Sequence, residues 1–109
     1  MHGISVEHFR HLLKRPVPPI IIDVRPGSIY AAFEGAIHGT IRRDPGTVAG
    51  WASSLELARP IIVYCVHGHE VSQGVAKLLR DRGLPALYLE GGFEAWTADG
   101  GRRCDWPKT

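Results

Sequence analysis

Cysteine is scarce in this chain, at two residues in 109, Cys65 and Cys104. Two thiols do not build a disulfide framework. A small fold stapled by bridges is therefore not expected, and both cysteines read as reduced thiols. Long apolar runs are missing as well. No stretch approaches the roughly 20 residues that span a bilayer. The first residues lack the basic-then-apolar pattern of a secretion signal, so a cytoplasmic protein is expected. Excess charge is also missing, since the formal net charge is +2. The basic residues are scattered apart from the pairs Lys14-Arg15, Arg42-Arg43 and Arg102-Arg103. No phosphate-tracking stripe results, and neither nucleic acid nor a membrane is expected as a partner. Internal repeats and low-complexity segments are absent.

What the chain does have is enough apolar residues, 44%, for one domain with a modest core. Its organising stretch runs from Ile61 to Ser72. Ile61-Ile62-Val63 is an uninterrupted β-branched run, as expected of a strand covered on both faces. Cys65 follows, then a short loop containing Gly68. Ser72 is placed to cap a helix with Val71, Val75, Leu78 and Leu79 at helical spacing. Gly83 ends that helix, and Pro85 lies just beyond. Cys65 thus leaves the carboxyl end of a strand, and a helix aims its amino end at the thiol. Successive loop N–H groups can curl into a cradle for an anion, and the helix dipole adds positive charge. A thiol held there is expected to exist substantially as the thiolate, the nucleophilic form.

The rest of the chain alternates strands and helices. Ile4 suits a short edge strand. Ser5 caps a helix whose apolar face is Val6, Phe9, Leu12 and Leu13, with His8 and His11 toward solvent. Ile20-Ile21-Ile22-Asp23-Val24-Arg25 is a second buried strand with two charges at its end. Functional groups gather at the carboxyl ends of parallel strands, so Asp23 is a candidate for bracing the site. Arg25 reads as a residue that fixes the turn. Tyr30 to Phe33 suits a short helix, and Ala36 to Ile41 a short strand and bend. Asp44-Pro45 signals a helix start, followed by a buried stripe of Val48, Trp51, Ala52 and Leu55. Arg42 and Arg43 precede it and are candidates for reaching an anionic substrate. Ala86 to Leu89 is a further strand. Glu90-Gly91-Gly92 turns into a last helix with Trp96. This order predicts an α/β domain over residues 1–100, with a mainly parallel sheet and right-handed crossovers. Residues 101–109 read as an irregular tail.

Four of these segments, in this order, resemble the single-domain rhodanese family. Ile21-Ile22-Asp23-Val24-Arg25 is similar to its strand ending in Asp-Val-Arg. Ile37-His38-Gly39-Thr40-Ile41 resembles its Ile-Pro-Gly-Ala-Ile segment. Val63-Tyr64-Cys65 with Gly68, Ser72 and Leu78 resembles its active-site loop and following helix. Leu89 to Trp96 resembles its closing Leu-x-Gly-Gly-x-x-x-Trp signature. The resemblance implies an open, mainly parallel five-stranded sheet with helices on both faces. It also implies a sulfurtransferase. Cys65 would attack the sulfane sulfur of thiosulfate or a related donor and carry it as a persulfide. A thiol, cyanide or a protein sulfur acceptor would then take the sulfur. The backbone N–H groups of Val66, His67, Gly68, His69, Glu70 and Val71 would hold the persulfide. No metal or organic cofactor is implied.

The chain departs from the family pattern in its loop. Cys65 to Val71 counts seven residues where the usual rhodanese has six. Rhodanese-like phosphatases and arsenate reductases also have seven, but end the loop with an oxyanion-gripping Arg where this chain has Val71. A phosphatase or oxyanion reductase is therefore an alternative, as is a sulfur-carrier or interaction domain. Cys65-x-His67-x-His69 invites a metal reading. A loop whose N–H groups converge inward would instead send these side chains outward. Glu70 would oppose an anion and is expected on the rim.

Overall fold

A computed structural model describes residues 2–26, 35–55 and 59–104. The sequence expectation of a helix from Tyr30 to Phe33 lies outside the described residues. The first strand, β1, is Gly3–Ile4, and α1 follows at Val6–Leu13. Ser5 caps α1 by accepting the His8 N–H at 3.1 Å. The helix stops short of Pro16, because a proline disfavours helical geometry in the residue before it. The second strand, β2, is Ile20–Asp23. The expected strand and bend at 36–41 resolves into two strands, β3 (Ala36–Ile37) and β4 (Thr40–Arg42). They are separated by a tight turn at Gly39.

Asp44-Pro45 does start helical structure, but as a 3-10 turn over Pro45–Thr47 in which the Asp44 carboxylate accepts the Gly46 N–H at 2.8 Å. Only the short α2, Val48–Ala52, is a true α-helix. Gly46 and Gly50 withhold the propensity for anything longer. Strand β5 is Ile61–Tyr64, α3 is Glu70–Asp81, β6 is Ala86–Leu89 and α4 is Gly92–Ala98. Helix α3 ends as expected at Gly83. Its N–H donates to the Arg80 carbonyl and the Leu84 N–H donates to the Leu79 carbonyl, the paired closure that a left-handed glycine permits.

Five strands form one sheet in the order β1-β6-β5-β2-β4, every pair parallel. Side chains alternate across it. Ile20, Ile22, Ile61 and Val63 pack with Val48, Trp51, Val75 and Leu79 on one face. Ile21, Ile62 and Tyr64 pack with Phe9, Leu12, Phe93 and Trp96 on the other. Helices α2 and α3 thus cover one face, and α1 and α4 the other. Doubly covered strands explain the unbroken apolar runs at 20–22 and 61–63.

The segment expected as an irregular tail begins with a further strand, β7 (Arg103–Cys104), antiparallel to β3. The Arg102 carbonyl ties it down by accepting the Trp96 indole N–H at 2.9 Å and the His38 N–H at 3.1 Å. Gly101 fits only because it lacks a side chain, since a Cβ there would stand 2.1 Å from the Trp96 ring. Among the described residues, no helix is long and apolar enough to cross a membrane.

Candidate functional site

Strand β5 delivers Cys65 to the carboxyl edge of the sheet, 6% exposed. The chain then turns through 66–69 and enters α3 at Glu70. The helix begins three residues earlier than a Ser72 cap would place it, with His69 at the cap position. Gly68, at φ +73°, completes the turn by that point. Ser72 instead lies inside the first turn of α3, fully buried, and the Cys65 thiol donates to its hydroxyl at 3.2 Å.

The loop is pressed backbone to backbone against the start of α4. The Phe93 N–H donates to the Cys65 carbonyl at 2.8 Å, and the Glu94 N–H donates to the Val66 carbonyl at 2.9 Å. These are the donors that a helix start leaves without internal partners. The approach requires glycines. A Cβ on Gly92 would lie 2.4 Å from the Cys65 carbonyl oxygen, and one on Gly68 2.6 Å from the Gly91 nitrogen. Because a trans peptide points its N–H opposite to its C=O, the N–H groups of Val66 and His67 face away from α4. From Val66 to Val71, no backbone N–H is bonded among the described residues. Backbone donors are almost always paired in a folded protein. A run of six uncommitted ones beside a thiol has the donors that an anion cradle requires.

The cavity at Cys65 has a volume of about 440 Å³ and is lined by Pro26, Cys65, Val66, His67, His69, Glu70 and Val71. Its wall is largely apolar, with two imidazoles and one carboxylate. His67 Nδ1 lies 3.0 Å from Glu94 Oε1, and the two histidine rings are 6.0 Å apart. Among the described residues, no group of three His, Cys, Asp or Glu could hold a metal ion.

Asp23, Arg25 and Tyr64 form a buried network beneath the site. The Asp23 carboxylate accepts from the Arg25 backbone N–H at 2.9 Å, from Arg25 Nη2 at 2.6 Å and from the Tyr64 hydroxyl at 3.1 Å. Arg25 Nη2 also donates to the Gly35 carbonyl at 2.8 Å, and the guanidinium sits 4.5 Å above the Phe93 ring centre. Phe93 stacks on Tyr64 at 6.2 Å. Burial, and then the Asp23 charge, raise the Tyr64 pKa well above the ordinary tyrosine value, so the phenol stays neutral and donates. Asp23 therefore touches the site through the residue before Cys65, not through the thiol. Arg42 Nη1 donates to the Arg43 carbonyl, and Arg43 Nη1 to the Arg42 carbonyl at 2.8 Å. Neither arginine is among the residues lining the Cys65 cavity.

Sequence reasoning did not single out Pro26 as a wall, Ser72 as the partner of the thiol, or the Gly91-Gly92 pair as the support of the loop. In the sequence the glycine pair reads as a tight turn within the closing Leu-x-Gly-Gly-x-x-x-Trp signature, with no sign of the segment it packs against.

The Rhodanese-like domain family matches residues 5–99. A thiosulfate sulfurtransferase GlpE from Pseudomonas fluorescens is 36% identical over 94 residues, 85% of this chain and 82% of that protein. The solved Alr3790 protein from Anabaena superposes with a TM-score of 0.79 at 32% identity, covering 95% of this chain and 82% of that one. A rhodanese-related protein from Thermoplasma volcanium reaches a TM-score of 0.80 at 22% identity, covering 95% and 98%.

Proposed function

The chain belongs to the rhodanese-like domain family, and from that premise we propose that it is a sulfurtransferase working through a persulfide on Cys65. The observation that carries this reading is the run of uncommitted N–H groups from Val66 to Val71 beside the Cys65 sulfur. The Cys65 thiolate attacks the outer sulfur of thiosulfate or a related donor. The new S–S bond forms as the donor's S–S bond breaks, and the bonding pair leaves with sulfite. Cys65 then carries a terminal sulfur with a negative charge. Fixed N–H dipoles stabilise that charge without reorganising during the reaction. Ser72 hydrogen-bonds the sulfur at 3.2 Å and reverses from acceptor to donor when the thiol ionises. In the second half-reaction a thiol or cyanide attacks the terminal sulfur, and the pair of the broken bond returns to Cys65. Asp23 acts as a positioning residue by holding Tyr64 and the end of β2. Arg42 and Arg43 bond to neighbouring carbonyls and are not needed in this scheme.

The two half-reactions require ping-pong kinetics. Initial rates of thiocyanate formation against thiosulfate, at several cyanide concentrations, should give parallel reciprocal lines. Cys65→Ala should lose activity by about a thousandfold or more. Intersecting lines, or an active Cys65→Ala variant, would refute the scheme. The seven-residue loop is the one observation that favours an oxyanion hydrolase or reductase. Glu70 on the cavity wall and Val71 at the loop end oppose it, because a tetrahedral dianion needs a cationic fork there. Turnover of an aryl phosphate or arsenate, without sulfur transfer, would establish that second reading.

A further inference from the structure

A second cavity, of about 600 Å³, lies at the other edge of the sheet. Pro18 and Pro19, just before β2, and His38 and Gly39, just before β4, form part of its wall. Both strands run parallel to β5, so this is the amino edge, opposite the edge that carries Cys65. Its lining includes five basic side chains, Arg10, Lys14, His38, Arg59 and Arg102, and among the described residues no carboxylate. Leu13, Ile21 and Trp96 supply an apolar floor.

These basic groups differ in what they are bonded to. Arg10 Nε donates to Asp99 Oδ2 at 3.0 Å and Arg10 Nη2 to the Asp99 carbonyl at 2.8 Å, with the guanidinium 5.0 Å over the Trp96 ring. Arg59 donates to the Pro18 carbonyl at 2.9 Å. The side chains of Lys14, His38 and Arg102 bond to nothing among the described residues. Two guanidiniums are thus anchored, Arg10 by the Asp99 carboxylate, and three uncommitted groups stand ready to bond. The backbone carrying two of them is fixed, since the Arg102 carbonyl accepts from His38 and from Trp96.

We infer that this cavity binds a small organic polyanion. Its anionic groups meet Lys14, His38 and Arg102, and its apolar part lies over Leu13 and the two prolines. Several positive groups around one cavity favour a multiply charged ligand, because each contact is charge-assisted. The volume is that of a pocket for a nucleotide-sized molecule. The apolar floor favours an organic ligand over a bare inorganic ion. The site is separate from Cys65 and does not depend on the sulfur-transfer reading.

The test is a titration of the full chain with ADP and, separately, with inorganic pyrophosphate, followed by amide and indole nuclear magnetic resonance shifts. Saturable shifts at Lys14, Gly39, Arg102 and the Trp96 indole N–H are expected, with Val66 to Val71 unmoved and ADP bound more tightly than pyrophosphate. The double variant Lys14→Gln, Arg102→Gln should lose about tenfold or more in ADP affinity. Arg82→Gln, an equal kind of charge loss at an exposed helix end, should lose little. Shifts centred on the Cys65 loop, no saturation, or ADP binding no tighter than pyrophosphate would overturn the inference. So would an unchanged affinity in the double variant with its spectrum otherwise preserved, or an equal loss in Arg82→Gln.

Discussion

The two edges of the sheet use charge in opposite ways. At the carboxyl edge the two charges at the end of β2 turn inward. Asp23 and Arg25 are both fully buried and bonded to each other, and the donors left for a ligand are backbone N–H groups. At the amino edge the donors are exposed side chains, Lys14, His38 and Arg102. Fixed dipoles suit chemistry, because they need not move when charge develops. Long cationic side chains suit capture of a ligand, because they reach and adapt. Helix α4 belongs to both edges. Its first N–H groups hold the Cys65 loop, and Trp96 near its other end floors the second cavity.

The sharpest way to break this contrast is to remove the inward carboxylate. Asp23→Ala removes the buried carboxylate that Arg25 and Tyr64 both bond, and should cost about 3–5 kcal/mol, measured by urea unfolding. A cost near that of an exposed pair would mean that the buried network is not what holds this edge. Next come the glycines. Gly92→Ala meets the Cys65 carbonyl and also strains a residue at φ +60°, which should cost about 2–3 kcal/mol and slow sulfur transfer. Gly39→Ala, at the amino edge, has φ +89° but no neighbour nearer than 3.8 Å, so only the conformational cost of about 1–2 kcal/mol applies. Thermal unfolding of the pair checks the order, and reversal of that order would contradict the described packing.

Tyr64→Phe deletes the hydroxyl that donates to Asp23 and accepts from the buried Ile37 N–H, at about 1.5–3 kcal/mol. It also changes the alkaline limb. The folded-state pKa of Tyr64 is raised, so the neutral phenol's contribution is complete below the unfolded value of about 10. It is lost as pH rises from there toward the folded value. The variant should therefore lose less stability than the wild type between neutral and strongly alkaline pH. Equal slopes would show that the phenol is not held neutral. The smallest effect is expected at the exposed amino edge. Asp99→Asn breaks a surface pair of 2.9 Å, should cost less than about 1 kcal/mol, and should tighten ADP binding by releasing Arg10.

Much of the carboxyl edge was legible in the sequence, for a physical reason. Buried parallel strands write continuous β-branched runs, as in Ile20 to Ile22 and Ile61 to Val63. The thiol at such a strand's end is followed by a glycine turn, as in Cys65 and Gly68. Helix stops were also readable, since Gly83 supplies a backbone conformation that few other residues adopt. The contacts of Ser72 and of Gly91-Gly92 were not readable, because they depend on how far the chain has turned and on an approach between segments distant in sequence. The second cavity was invisible for a related reason. Arg10, Lys14, His38, Arg59 and Arg102 are spread over most of the chain, and scattered basic residues read as solvated until the fold gathers them.

Intact mass measured after incubation with thiosulfate, and again after cyanide, tests the central claim most directly. The wild type should gain one sulfur atom and return to its starting mass as thiocyanate appears, while Cys65→Ala gains nothing. An equal gain in Cys65→Ala, or no gain in a folded wild type with a reduced Cys65 challenged with both thiosulfate and a small persulfide donor, would contradict it.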